Sequence, residues 1–150
     1  MDRNEPLVPF PLSFPHEDFT GLLDRLAAAE RGEGIPKGFV PNSTYWLIWE
    51  GESVVGVSNL RHRLTDALRR EGGNIGYGIR PSARGQGFAT EILRQTLSEA
   101  KALGLREVLL TCARSNEPSV RTILGNGGVL ESEQFLPERE EVVQRYWITI

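Results

Sequence analysis

The stretch Asn74-Ile-Gly-Tyr-Gly-Ile-Arg80-Pro-Ser-Ala-Arg84-Gly-Gln-Gly87-Phe-Ala89-Thr90 changes character twice. Asn74–Arg80 is a β-branched and aromatic run that reads as a strand, and Pro81 closes it. Small residues follow. From Gly85 or Gln86 a helical period then runs to Leu103. Ile92, Leu93, Thr96, Leu97, Ala100 and Leu103 fall on one face, and Gly104 occupies the C-terminal cap position. A strand that feeds a helix through a small-residue turn offers several backbone N–H groups at the positive end of a helix dipole. Such a turn is a natural pyrophosphate site. Gly85, Gly87 and Ala89 let phosphate oxygens approach the main chain, and Arg84 offers a charge-assisted contact. The plainer alternative is an ordinary strand-to-helix turn, tightened by glycine.

Outward from this stretch, the chain before it is mostly strand and the chain after it alternates. Residues 6–15 carry four prolines among apolar residues, which predicts extended edge structure. Phe19, Leu22, Leu23 and Leu26 have helical spacing within 17–31. Thr44–Glu50 and Ser53–His62 read as two strands joined by a turn at Glu50-Gly51-Glu52. Residues 63–73 are charged and end in Gly72-Gly73, a loop or short helix. After the long helix, the apolar run Val108–Cys112 reads as a buried parallel strand. Ser119–Gly125 is a second short helix, and Val129–Phe135 and Val142–Ile150 are closing strands. The order predicts one domain over residues 1–150, a mixed sheet with helices on its faces.

Composition bounds the function. The net charge of −3 argues against a general nucleic-acid partner. Cys112 is the only cysteine, so no intrachain disulfide forms, as expected in a reducing cytoplasm. Met1–Pro6 lacks the apolar core of a signal peptide, and no stretch approaches the ~18 apolar residues that a membrane span needs. Two histidines and one cysteine argue against a structural zinc site.

Three phosphate-binding patterns compete for residues 84–90. A P-loop needs Gly-x4-Gly-Lys-Ser/Thr, which the chain does not contain. A dinucleotide fingerprint needs a third glycine where Thr90 stands, and an acidic residue where the next strand closes with Thr111-Cys112. The third pattern is an acyl-coenzyme A loop. Here the chain resembles the GNAT superfamily of acetyl-CoA-dependent acyltransferases, whose signature is Arg/Gln-x-x-Gly-x-Gly/Ala; Arg84, Gly87 and Ala89 fill its three fixed positions. The resemblance extends over residues 44–150, including Asn116 in Ser115-Asn116-Glu-Pro-Ser119. Leu60-Arg-His-Arg-Leu64 and Gly76-Tyr-Gly78 are similar to a bacterial branch of predicted acetyltransferases.

The resemblance implies an α/β (α+β) fold: a mostly antiparallel mixed sheet of about six to seven strands, flanked by helices and splayed between strands 74–80 and 107–112. It implies acetyl-CoA as co-substrate and transfer of the acyl group to an amine on a small molecule or peptide. A homodimer is compatible with it. Backbone groups of Ile79 and Arg80 would pair with the pantetheine arm, and an N–H near Ile79 would polarise the thioester carbonyl. Arg84, Gly85, Gln86, Gly87, Phe88, Ala89 and Thr90 would hold the pyrophosphate; Asn116 and Ser119 would reach the pantetheine. Many relatives supply a general acid from a Tyr seven residues after the Asn, and that position is Ile123 here. Tyr77 or Tyr146 would replace it, or the thiolate would leave unassisted. The other reading that Ile123 leaves open is a catalytically silent acyl-CoA sensor.

His62 is a candidate base, set against a plain strand-end histidine. Arg61 and Arg63 beside it could take an acidic acceptor, but read first as exposed loop charges. Glu131 and Glu133 alternate on one strand and could act through water; a solvated face is the simpler account. Trp46, Trp49 and Trp147 are expected in the core, and Cys112 is expected to be buried and inert.

Overall fold

The structure, a computed structural model, describes residues 8–150. Its strands are β1 (Asn42–Trp49), β2 (Ser53–Arg61), β3 (Ile75–Ile79), β4 (Glu107–Ala113), β5 (Val129–Leu136) and β6 (Glu141–Thr149). Its helices are α1 (Phe19–Glu30), α2 (Asp66–Arg70), α3 (Phe88–Ala102) and α4 (Glu117–Gly125). The class is the expected mixed α/β one, but the strands fall into two three-stranded sheets, β1-β2-β3 and β4-β6-β5. All four ladders are antiparallel. The parallel pairing expected of β4 is therefore not a ladder; β4 pairs with β6, and its other flank meets β3 at one place.

That place is Asn74. Its backbone N–H donates to the Leu109 carbonyl at 2.7 Å, and its Oδ1 accepts the Leu109 N–H at 2.8 Å. Its Nδ2 donates to the Arg61 carbonyl at the end of β2. A side-chain amide here completes hydrogen bonds that a neighbouring strand would otherwise make. Gly73, with φ of 61°, is needed beside it, because a Cβ would lie 2.2 Å from the Leu109 oxygen. Beyond this stitch β3 and β4 part, giving the predicted splay.

Two cores hold the splay open at its ends. Leu60, Ile75, Leu93, Leu97, Val108, Leu110, Ile123, Tyr146 and Ile148 pack between the sheets and α3. Leu47, Val55, Ala83, Phe88 and Ile92 pack under the turn into α3. Three expectations change. Residues 10–13 form a 3-10 turn, not extended edge structure: Pro11, inside its first two residues, presets a helical φ. This segment lies over β3, where a Cβ on Gly78 would meet the Val8 carbonyl at 2.3 Å. Residues 6 and 7 of the predicted extended run lie outside the described residues. Trp46 and Trp49 are 38% and 51% exposed, stacked or edge-on with Phe19 and Phe88 rather than buried. Finally, α3 begins at Phe88, since Gly85 and Gly87 both hold positive φ, and Leu103 is its exposed C-cap residue.

Candidate active site

The turn into α3 is built of main chain. Gly87, with φ of 83°, is the N-cap of α3 and supplies no side-chain cap. Among the described residues, the backbone N–H groups of 85–90 have no backbone acceptor; the first helical bond is Glu91 N–H to Gly87 O. Six N–H groups at the positive end of a fifteen-residue helix are therefore left without a backbone acceptor among the described residues. A Cβ on Gly85 or Gly87 would meet nothing within 4 Å, so the approach to this main chain is open. Phe88 anchors the turn by packing edge-on to Trp49 at 5.1 Å. Arg84 folds back, its Nε donating to the Ile79 carbonyl at 3.3 Å.

The open flank of β3 follows from its pairing. The Asn74 carbonyl accepts from Arg61 N–H, and Arg80 N–H donates to Val55 O. Backbone groups alternate sides along an antiparallel strand. The even-numbered residues of β3 thus face β2, and the N–H and C=O of Ile75, Tyr77 and Ile79 face the splay. The Arg80 N–H donates to the Val55 carbonyl of β2, so the backbone of β3 that faces the splay belongs to Ile75, Tyr77 and Ile79.

Inside the splay, Tyr77 Oη lies 2.7 Å from Ser119 Oγ, linking β3 to α4 across the gap. Burial pushes the Tyr77 phenol up to about 12 from its ordinary 10.0, partly offset by the Ser119 and Thr122 hydroxyls. Burial also raises the thiol of Cys112, which Ser119 opposes. Hence a tyrosine, a serine and a cysteine side chain meet in the slot, all protonated at neutral pH.

The remaining predicted residues are dispersed. Asn116 is exposed and caps α4, its Oδ1 accepting Ser119 N–H at 3.4 Å, so its carbonyl oxygen orients the residue that pairs with Tyr77. Tyr146 is 3% exposed in the core and donates to Gln144 Oε1 at 2.6 Å. His62 lies just past the far end of β2, six residues from Gly56, the partner of Ile79. That is about 20 Å along the strand from Ile79. Its Nε2 pairs with Ser43 Oγ at 2.8 Å, and burial lowers its pKa. Glu131 is the extra residue of a bulge between Leu130 and Ser132 in β5, and Glu133 accepts from Gln144 Nε2 at 2.6 Å. Ile123, 1% exposed, points into the core rather than into the slot. No group of His, Cys, Asp and Glu among the described residues has metal-binding geometry. No helix among them is long and apolar enough to cross a membrane.

Arg61, which the sequence offers for an acidic acceptor but reads first as an exposed loop charge, is half-buried and ends β2 with its guanidinium over Gly76. The signal was the period of two: Asn59 and Arg61 share a face, and Asn59 is paired with Gly76.

A six-strand splayed fold with a main-chain anion site at a helix start is what the GNAT resemblance implies. The family model described as acetyltransferase (GNAT) domain matches residues 9–129. The chain belongs to that family, whose acyl donor is acetyl-CoA. No curated protein is significantly similar to it in sequence. Among solved structures, a GNAT-family acetyltransferase from Streptococcus pneumoniae is 18% identical, with a TM-score of 0.64 over 91% of this chain and 77% of its own. The putative acetyltransferase yncA from Salmonella typhimurium, solved with acetyl-CoA, is 15% identical, with a TM-score of 0.63 over 87% and 72%. A dodecameric spermidine N-acetyltransferase from Vibrio cholerae is 19% identical, with a TM-score of 0.63 over 96% and 81%.

Proposed function

We propose that this chain transfers an acetyl group from acetyl-CoA to the amine of a small molecule or peptide, by direct attack within the slot between β3 and β4. The observation that carries the reading is the run of unclaimed N–H groups at 85–90, continuous with the outward-facing backbone of Ile79 and Tyr77. Acetyl-CoA supplies the acyl group as a thioester. The main chain of 85–90 and Arg84 bind its pyrophosphate, with the Thr90 hydroxyl beside them. The N–H of Ile79 and the N–H and C=O of Tyr77 run from that loop toward the hydroxyl pair and orient the pantetheine arm along β3. Asn116 keeps Ser119 in place.

The Tyr77–Ser119 pair sits where the thiol leaves. A phenol at about 12 does not surrender its proton outright to a thiolate whose conjugate acid titrates at about 8.5. Its role is a hydrogen bond to developing negative charge, with Ser119 as the nearer or relaying donor. No imidazole or carboxylate reaches the pair among the described residues, so the attacking amine gives its proton to water. Ile123 carries no weight against catalysis, because that position faces the core.

The test is thiol release from acetyl-CoA with an amine panel, run beside acetyl-CoA binding. Transfer to any amine, lost in Gly87→Glu while the variant stays folded, supports the reading. Tight acetyl-CoA binding without transfer across the panel replaces it with the sensor reading.

A further inference from the structure

Arg61 is a half-buried cation with no counter-charge among the described residues. Its Nη1 donates to the Gly72 and Gly73 carbonyls at 2.9 and 3.3 Å. Those are its only side-chain hydrogen bonds among the described residues, and none of their carboxylates forms an ion pair with it. Arg70 pairs with Glu138 and Arg139 with Glu71, while Arg145, which also lacks a carboxylate, spends its Nε and Nη2 on the Arg69 and Arg70 carbonyls and Gln134. Burial pulls the Arg61 pKa down, the sign of a charge held without compensation. Guanidinium does not deprotonate in proteins, so the charge persists.

The unused atoms are Nε and Nη2. They form one edge of the guanidinium, the edge that grips a carboxylate with two parallel hydrogen bonds. Neither is sealed from solvent, since the one sealed side-chain polar atom without a partner is Asn59 Oδ1. The Nη1 contacts fix the plane of the group, so the free edge is preorganised. Its position is given by Gly76: Nη2 would lie 3.4 Å from a Cβ there. Gly76 directly precedes Tyr77, about 3.4 Å of strand away. Successive side chains alternate, so the cation lies over β3 near its N-terminal end, beside Pro9 and on the face opposite the Tyr77 side chain, away from the pyrophosphate loop.

We infer that Arg61 is an acceptor-specificity residue, binding through its Nε/Nη2 edge a carboxylate on the same molecule that carries the acetylated amine. This rests on the acetyl-transfer reading above and names its substrate class: amino acids or other amine-bearing acids, in preference to polyamines. A tetrahedral phosphate would use the same cation, but the flat two-nitrogen edge favours the planar carboxylate.

The experiment uses matched pairs that differ only in the anion: glycine and glycinamide, β-alanine and β-alaninamide, 4-aminobutanoate and 4-aminobutanamide, with 2-aminoethyl phosphate and spermidine alongside. Thiol release gives kcat/KM, and the melting temperature with coenzyme A present gives binding without turnover. The acids are expected to exceed their amides by at least about tenfold in one pair. Arg61→Gln keeps a donor for the glycine carbonyls and should erase that ratio, leaving the KM for acetyl-CoA within about twofold. Arg61→Lys keeps the charge without the fork and should fall between. Acids that raise the melting temperature more than amides, without thiol release, uphold the carboxylate site and sink the transfer reading. Transfer at equal rates to acids, amides and spermidine, or equal losses for both members of a pair in Arg61→Gln, overturns the carboxylate site and leaves transfer standing. Preference for the phosphate alone also overturns it. Should Arg61→Gln fail to fold, the acid-to-amide ratio of the unaltered protein and of Arg61→Lys decides.

Discussion

The two flanks of the slot are made of different materials. The loop at 84–90 works through main chain: its glycines matter for what they lack, and its charge comes largely from a helix dipole. The flank formed by residues 61–73 and the β5–β6 hairpin works through side chains. Arg145, 9% exposed, threads that flank together, its Nε and Nη2 donating to the Arg69 and Arg70 carbonyls at 2.7–3.1 Å and to Gln134 Oε1 at 2.6 Å. In this way the cation sits at the C-terminal end of α2, where it offsets the dipole and satisfies open carbonyls. In the proposed function the first flank would fix a donor by shape and backbone polarity. The second fixes its own geometry by arginine and keeps one arginine edge spare.

That contrast can be broken most severely at Gly87. Gly87→Glu places a carboxylate against the six N–H groups and strains a residue at φ of 83°. The KM for acetyl-CoA should rise by more than about a hundredfold while the fold persists, read by thiol release and circular dichroism. A normal KM would mean that the main-chain flank does not hold the pyrophosphate. Arg145→Met tests the other flank. It leaves the ends of α2 and their carbonyls unpaired in a buried place, so stability should drop by about 3 kcal/mol in urea unfolding. Acetyl-CoA binding should be unchanged.

Between the flanks, Tyr77→Phe combined with Ser119→Ala should lower kcat by about ten- to a hundredfold, with little change in the KM for acetyl-CoA. A fall in both together would make the pair part of the binding wall. The smallest effect is alkaline. The Tyr77 phenol titrates at 10.0 when unfolded and about 12 when folded, so the unfolded chain loses its proton first. The stability it contributes is complete below pH 10 and is lost as pH rises toward 12. The melting temperature of Tyr77→Phe should therefore decline less steeply across that window than that of the unaltered protein.

The same contrast explains what sequence could show. A main-chain turn announces itself through the residues it requires, and Arg84, Gly87 and Ala89 at fixed spacing mark the turn that the structure shows at the start of α3. Where the helix began was less legible, since positive φ at Gly85 and Gly87 delays the first turn by two or three residues. A side-chain site has no such spacing. Arg61 and Arg63 look alike in the string, and only the strand end at Arg61 turns one of them inward. Ser119 was legible as a neighbour of Asn116, but its pairing with Tyr77 spans 42 positions and depends on how far β3 and β4 diverge. Tyr146 was plausible as an acid until Gln144, two residues away on a buried strand, claimed its hydroxyl.

Asn74 has a consequence for how this molecule could vary. One side chain joins the carbonyl at the end of β2 to the amide of Leu109, so a single residue rivets the two sheets at the closed end of the splay. Pieces fastened at one point can turn about it without tearing the rest. Aspartate at 74 would keep the acceptor but lose the donor to Arg61 O; leucine would lose both. Each would alter the gap between the blades before it altered either blade. Small changes of width, rather than new side chains, are then the shortest route by which descendants of this chain could admit a longer acyl group.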